Sequence, residues 1–307
     1  MDEEVKILCN TTSYNYSEFP NKIELIHNTQ RKILSEKDVE ELINKHEPVG
    51  IIAGLEPLTQ KVLDSASKLK VISRCGIDIE TIDQKAAKKL GIMVTRTHHA
   101  PDVPVAELTM AMILSLLRKL GTLDNMVRTK KWKRKVTGLL RGKMVGVIGC
   151  EILGTRVSSI LSAFDCGLMG YDPGVQAHDF CEMVSFDFLI RNSDIITLNM
   201  PLREENYHMI SDDQIEMMKE GVFMVNTSRP GLIDEDALVR GLESGKVAGA
   251  ALDVFEQEPY TGPLINFKEN TILTPHIGSF AGTYRFDIEK EAMDNLLEAL
   301  QKQEVKI

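Results

Sequence analysis

The sequence predicts an α/β protein with two doubly wound parallel sheets, and three observations carry that reading. Short apolar runs alternate with amphipathic stretches along the chain, as parallel strands joined by crossover helices require. A glycine-flanked apolar run at Met144–Gly149 opens a second series of such units after a long helical interval. The chain's 307 residues are long for a single core and suit two domains.

Taken in order, the first series has apolar runs at Val5–Leu8, Val49–Ala53, Lys70–Ser73 and Ile92–Val94, each read as a strand. Amphipathic stretches at Ser35–Lys45 and Pro57–Leu69 are read as helices between them. Ser35 with Asp38 is a helix-starting pair, since a hydroxyl and a carboxylate satisfy N–H groups that the first turn leaves open. The run from Asp102 to about Arg118 puts Val105, Leu108, Met112 and Leu116 on one stripe. Asp102 is its expected N-cap, Pro104 fits the first turn, and the helix is read as a hinge between domains. The second series has strands at Met144–Gly149, Gly167–Tyr171, Ile195–Asn199, Val222–Asn226, Val247–Asp253 and Thr271–Leu273. Leu153–Phe164 and Asp234–Ser244 are its helices, and Ala281–Lys302 closes the chain as one long amphipathic helix.

Bulk properties narrow the function classes. A formal charge of −9 argues against nucleic acid or an anionic membrane as partner. The start, Met1-Asp2-Glu3-Glu4, is charged and runs into a strand, unlike a signal peptide. No stretch approaches the roughly 18 uninterrupted apolar residues of a membrane span. The five cysteines, at 9, 75, 150, 166 and 181, show no C-x-x-C spacing. Free buried thiols in a reducing cytoplasm are the plain reading, with no metal site expected. The 14 methionines fall at core spacings and are read as core filling.

Gly149-Cys150-Glu151-Ile152-Leu153-Gly154 leaves a strand and opens a helix, and Asp172 ends the next strand. That is the context of a dinucleotide fingerprint, so two Rossmann-like domains with a cleft between them are expected. The helix N-terminus would meet the pyrophosphate with open N–H groups and its positive dipole end. Asp172 would accept hydrogen bonds from the adenosine ribose and repel a 2′-phosphate, which favours NAD over NADP. The middle glycine of G-x-G-x-x-G is Glu151 here. Two like charges about 4 Å apart cost on the order of a few kcal/mol at an effective dielectric of about 20. Weaker NAD binding is expected unless that side chain swings outward.

Three segments carry the chemistry: Asn226-Thr227-Ser228-Arg229, Asp253-Val254-Phe255-Glu256-Gln257-Glu258-Pro259 and Thr274-Pro275-His276-Ile277-Gly278. They place Arg229, Glu258 and His276, in that order, each beyond an apolar run. A cation that fixes a carboxylate and polarises a carbonyl, with a carboxylate-backed imidazolium as proton donor, suits reduction of a 2-keto acid. Singly, each residue has a bland reading: a loop histidine, a solvated Glu-Pro turn, a surface arginine. Their joint order sets those readings aside.

With these segments the chain resembles the D-isomer-specific 2-hydroxyacid dehydrogenases over nearly its whole length. The resemblance implies that His276 is the general acid and base, that Glu258 hydrogen-bonds its ring, and that Arg229 grips the substrate. It implies that Asp253 faces the nicotinamide end of the cofactor and that Asn199-Met200-Pro201 packs near the adenine. The cofactor-binding set is Gly149, Ile152, Leu153, Gly154, Asp172, Asn199, Pro201, Thr227, Ser228, Asp253 and Gly278. Pro230 stands where relatives usually carry glycine, and it restricts Arg229 to extended backbone. The resemblance also divides the chain into residues 1–98 plus 283–307, which bind substrate, and residues 99–282, which bind NAD. A homodimer is implied.

Ser73 to Asp83 resembles the family loop whose amides cradle a substrate carboxylate, which makes Arg74, Gly76 and Ile77 candidate substrate ligands. Asp78 stands where that loop has its second glycine, and Arg96 where the family usually has asparagine. An Asp78–Arg96 exchange is expected. His98 and His99 replace a proline-containing pair and read as surface loop histidines; the sharper alternative is that with Arg74 and Arg96 they form an electropositive cleft for a doubly anionic acid. The basic run Lys130, Lys131, Lys133, Arg134, Lys135, Arg141 and Lys143 reads as a solvated face, with attraction of a phosphorylated substrate as the alternative. Gly54–Thr59 and Leu69–Arg74 look most like the phosphoglycerate dehydrogenase branch. The leading reading is NAD-dependent interconversion of a small 2-hydroxy acid and its 2-keto acid. A catalytically degenerate paralogue that senses ligand or binds partners is the competing one, favoured by Glu151 and Asp78.

Overall fold

The structure is a computed structural model that describes residues 4–12, 14–77, 79–98 and 101–305. It divides into two compact units, Met1–Ala100 with Gly282–Ile307, and Pro101–Ala281.

The first unit contains β1 (Val5–Cys9), β2 (Ile23–His27), α1 (Glu36–His46), β3 (Gly50–Ala53), α2 (Gln60–Asp64), β4 (Val71–Arg74), α3 (Gln84–Lys89) and β5 (Met93–Arg96). Its sheet is wholly parallel in the order β2-β1-β3-β4-β5. Both faces are covered, which is why the strands read as apolar runs. Leu8, Ile51 and Ile72 bury one face against Val39, Ile43, Val62 and Leu63 of α1 and α2. Ile7, Ile52 and Val71 bury the other. Ser35 does start α1: its hydroxyl accepts from the Asp38 N–H, and the Asp38 carboxylate answers the Ser35 N–H. The helix read over Pro57–Leu69 is only the short α2, since Thr59 caps it and pairs with the Val62 N–H.

The second unit contains α4 (Asp102–Arg118), α5 (Leu120–Arg128), β6 (Met144–Ile148), α6 (Ile152–Leu161), β7 (Gly167–Tyr171), β8 (Glu182–Met183), α7 (Phe186–Asn192), β9 (Ile195–Leu198), α8 (Asp212–Met217), β10 (Val222–Asn226), α9 (Glu235–Ser244), β11 (Val247–Leu252) and β12 (Thr271–Leu273). Its seven parallel strands run β12-β11-β10-β9-β6-β7-β8. Strand order reverses beside β6, with β7 on one side and β9 on the other, and such switch points leave a crevice at the carboxyl ends of the strands. Val157 and Leu161 of α6 pack on one face with Met112, Ile113 and Leu116 of α4. The opposite face carries Leu189, Ile215, Ala237 and Leu238 from α7, α8 and α9. Asp102 is not the N-cap of α4, as expected, but its first residue; Pro101 precedes it without a side-chain cap bond. The Asp102 carboxylate instead pairs with Arg156 Nε of α6 at 3.0 Å.

The last helix, α10 (Gly282–Lys302), belongs to the first unit. Ile288, Ala292, Met293, Leu296 and Leu300 lay one stripe on the β1–β3–β4 face. The Ser73 hydroxyl donates to the Ala292 carbonyl oxygen at 2.7 Å.

One buried carboxyl follows β3. Glu56 Oε2 accepts the Gly54 N–H at 2.9 Å, and burial pushes the group up from 4.5 to about 7 despite the nearby Arg74 cation. The folded chain then keeps this proton to higher pH than the unfolded chain does. Its contribution is full below about 4.5 and is lost as pH rises through about 7, up to roughly 3 kcal/mol. Glu56→Gln is expected to flatten that part of the stability profile. Urea unfolding at pH 5 and pH 8 checks it, and identical pH dependence in both proteins would sink the idea.

Candidate active site

Every residue expected at the site of the second unit lies beyond the carboxyl end of a strand. Gly149 follows β6, Asp172 follows β7, Asn199 and Pro201 follow β9, and Thr227, Ser228 and Arg229 follow β10. Asp253 follows β11, and His276 and Gly278 lie beyond β12. The ends of β10, β11 and β12 are neighbours. Asp253 N–H donates to the Asn226 carbonyl oxygen at 3.0 Å, and Thr274 N–H to that of Leu252 at 3.0 Å.

His276 and Glu258 meet. Ring Nδ1 lies 3.0 Å from each Glu258 carboxylate oxygen, and Glu258 Oε1 also accepts the Phe255 N–H at 3.1 Å. With Nδ1 turned to the carboxylate, Nε2 is the ring position left for a substrate. His276 has a left-handed backbone, φ +53°, which is uncommon for a residue with a side chain. The buried Asp253 carboxylate holds that turn. It accepts the Ile277 N–H at 2.9 Å, the Gly278 N–H at 2.8 Å and the Thr274 hydroxyl, while its own carbonyl accepts the His276 N–H at 2.9 Å. Burial pushes the Asp253 carboxyl up, and these donors pull the other way.

Arg229 is half-buried and extended, φ −132° and ψ 137°, ahead of the short 3₁₀ turn Pro230–Leu232. Its Nη1 donates to the Ser228 carbonyl oxygen at 2.8 Å. The turn that presents it is built by Asn226, which ends β10 and opens this segment but has no role of its own in the sequence reading. Asn226 Oδ1 accepts the Ser228 N–H at 3.1 Å, and Nδ2 donates to the Arg229 carbonyl oxygen at 2.8 Å. Asparagine at a strand end before Thr-Ser was the available signal, since its side chain closes local turns. The Ser228 hydroxyl donates to the Met200 carbonyl oxygen at 2.7 Å. Thr109 of α4 donates to the Val105 carbonyl oxygen, so its hydroxyl accepts from Thr227 at 2.7 Å.

The β6–α6 turn fits a dinucleotide. Gly149 has φ +89°, and a side chain there would sit 2.7 Å from the Asn199–Met200 backbone. A side chain at Gly154 would collide with the Gly149 carbonyl oxygen, so strand and helix approach closely only with glycine at both places. Ile152, Leu153 and Gly154 form the first turn of α6, where N–H groups lack intrahelical acceptors. Asp172 Oδ2 accepts the Cys150 N–H and Oδ1 the Gly174 N–H, each at 2.8 Å, which fixes its carboxylate beside the turn. Glu151 is the N-cap residue of α6, exposed, with φ −75° and no side-chain cap bond. Asn199 Nδ2 donates to the Thr197 carbonyl oxygen at 3.2 Å, and the Pro201 carbonyl accepts from Asn206 at 2.9 Å.

In the first unit Arg74 is buried. Its Nη1 donates to the carbonyl oxygens of Cys75 at 2.6 Å and Ala53 at 3.4 Å, and Gly76 folds beside it with φ +150°. Arg96 donates to the Ile77 carbonyl oxygen at 3.3 Å. Asp78 and His99 lie outside the described residues, so the Asp78–Arg96 exchange does too. His98 pairs with Glu291 of α10, at 2.8 Å through its N–H and 3.3 Å through Nδ1. All five cysteines are free thiols; four are buried, and burial pushes Cys150 up to about 12. Among the described residues no group of three His, Cys, Asp or Glu could hold a metal.

A glycine turn from strand to helix, an acid closing the next strand and a carboxylate-backed histidine define, by class, a nicotinamide-dinucleotide dehydrogenase. Residues 110–278 match the model of the D-isomer specific 2-hydroxyacid dehydrogenase, NAD binding domain. The chain belongs to that family, whose members act on CH–OH donors with NAD, as its sequence segments suggested. It is similar to hydroxypyruvate reductase of Thermotoga maritima, 35% identical over 256 residues that cover 81% of this chain and 84% of that one. It is 38% identical to D-3-phosphoglycerate dehydrogenase of Methanocaldococcus jannaschii over 251 residues, 78% of this chain and 48% of that one. The chain thus spans about half the length of the phosphoglycerate dehydrogenases it matches. The crystal structure of D-lactate dehydrogenase from Aquifex aeolicus complexed with NAD and lactic acid matches with a TM-score of 0.76 at 28% identity, over 97% of this chain and 96% of that one.

Proposed function

We propose that this chain interconverts a small 2-hydroxy acid and its 2-keto acid, with a phosphoglycerate- or hydroxypyruvate-type substrate. The observation that carries the reading is the Glu258–His276 pair beside the Asp253 clamp. When bound, NAD takes or gives the hydride at substrate C2. Gly149, Ile152, Leu153 and Gly154 would hold its pyrophosphate and Asp172 its adenosine ribose. Asn199 and Pro201 would hold its adenine side, and Asp253, with Thr227, Ser228 and Gly278, its nicotinamide side. Arg229 grips the substrate carboxylate and polarises the carbonyl. His276 holds the travelling proton at Nε2, giving it to the alkoxide oxygen in reduction and taking it in oxidation. Glu258 orients the ring and balances the imidazolium charge.

Arg74, Gly76 and Ile77 are assigned to the substrate, residues 1–98 with 283–307 to its domain, and residues 99–282 to the NAD domain. The intact acid–base pair supports an enzyme over a degenerate binding protein. A cytoplasmic homodimer completes the proposal. No helix among the described residues is long and apolar enough to cross a membrane. Helix α5 buries none of its residues, and Trp132 just beyond it is 83% exposed, which favours a second copy there. Light scattering should read twice the 34.4 kDa chain mass; a monomer would remove that part.

The test is NADH oxidation with glyoxylate, hydroxypyruvate, 3-phosphohydroxypyruvate and pyruvate. Turnover of at least one is expected, with NADPH at least about tenfold less efficient because of Asp172. Silence across the panel, with NADH bound, would overturn the reading.

A further inference from the structure

We infer that His178 is a positioning residue for the cofactor: it latches the loop after Asp172 onto the first turns of the dinucleotide-binding helix. The loop between β7 and β8 carries Asp172 at one end and Cys181 at the other, and it has no regular structure of its own. His178 is half-buried in it, and its ring makes three hydrogen bonds that fix every proton. Nδ1 accepts the N–H groups of Phe180 and Cys181, both at 3.2 Å. A ring nitrogen that accepts carries no proton, so the imidazole is neutral with its hydrogen on Nε2. Nε2 lies 3.0 Å from the Thr155 hydroxyl, which therefore accepts from it. That hydroxyl has one proton of its own and gives it to the Cys150 carbonyl oxygen at 3.1 Å.

The result is a single directional chain from the loop, through His178 and Thr155, to the backbone of Cys150. Cys150 lies inside the Gly149–Gly154 turn, and its N–H is also the donor to Asp172 Oδ2. Both ends of the adenosine-side geometry, the turn and the acid, are thus tied to one imidazole. A second fastening lies one helical turn further along α6, where Cys181 Sγ donates to the Ser158 hydroxyl at 3.1 Å. Neither His178 nor Thr155 belongs to the fingerprint spacing, and neither carries the proton-transfer chemistry.

The inference rests on NAD binding at the β6–α6 turn, so wild-type NADH binding by calorimetry is measured first. Absence of wild-type binding would overturn the cofactor site and this inference with it. With binding present, steady-state kinetics on the full chain test the latch. His178→Ala is expected to raise KM for NADH about tenfold and leave kcat at saturating NADH within about twofold. Thr155→Val, which keeps the shape and removes both bonds, should do the same, and the double variant should be no worse than either alone. His178→Asn places Oδ1 where Nδ1 stood and should recover part of the loss, which also guards against a His178→Ala protein that folds poorly. An unchanged KM for NADH in both single variants, whatever happens to their melting temperature, would show a structural staple only and overturn the inference.

Discussion

His276→Ala is expected to lower kcat for keto-acid reduction by about 10²- to 10⁴-fold, the usual range for loss of a positioned general acid. NADH affinity should stay within a few-fold, because the clamp on this turn is made by the Asp253 carboxylate with backbone groups and the Thr274 hydroxyl, not by the imidazole. Glu258→Gln separates the two parts of the pair. Its amide still accepts the Phe255 N–H but no longer offers the imidazolium a counter-charge, so kcat should fall less than in His276→Ala. A His276→Ala enzyme of undiminished kcat would remove the acid–base assignment. A Glu258→Gln enzyme with the wild-type kcat would leave Glu258 only a loop-shaping part.

What the sequence conveyed about this site follows from which forces leave a pattern in it. The inner strands β6, β9, β10 and β11 are covered on both faces, so they appear as largely apolar runs. The edge strand β2 was not anticipated, because Glu24 and His27 are exposed and break the run within five residues. The two-residue β8 is too short to leave a period. Arg229, Glu258 and His276 were visible because relatives share their order. The Asp253 clamp was not, because its carboxylate reaches backbone N–H groups 24 and 25 residues away, and any residue supplies those. The left-handed turn at His276 was hidden for the same reason: only the clamp makes it affordable to a residue with a side chain. Aspartate favours both the cap and the first turn of a helix, so Asp102 was misplaced by one position. The His178 latch leaves no trace, since its meaning lies in which ring nitrogen accepts.

Glu151→Gly is expected to tighten NADH binding by roughly fivefold to tenfold, while slightly destabilising the protein. Glu151 caps α6 at the end where a pyrophosphate would sit, yet its carboxylate makes no cap bond and is exposed. The same positive helix end that attracts a phosphate also favours this side chain, by about 0.3–1 kcal/mol near the surface. The carboxylate therefore competes with the ligand for one electrostatic site. Two unit charges about 4 Å apart repel by about 1 kcal/mol in water and about 4 at an effective dielectric of 20. An exposed group falls toward the lower figure, and each 1.4 kcal/mol is about tenfold in affinity. The backbone at 151 has φ −75°, open to any residue, so glutamate is tolerated by the fold and its effect should fall on the ligand. Salt separates this electrostatic account from a steric one. Raising ionic strength screens the repulsion, so NADH affinity should fall less steeply with salt in the wild type than in the glycine variant. Calorimetry on both proteins at two salt concentrations decides it. Equal affinity at both would mean that Glu151 points away from the pyrophosphate, leaving the dehydrogenase reading intact without this attenuation. No binding by the wild type with binding restored by glycine would mean that the natural chain has given up its cofactor, and the competing reading as a binding protein would take its place.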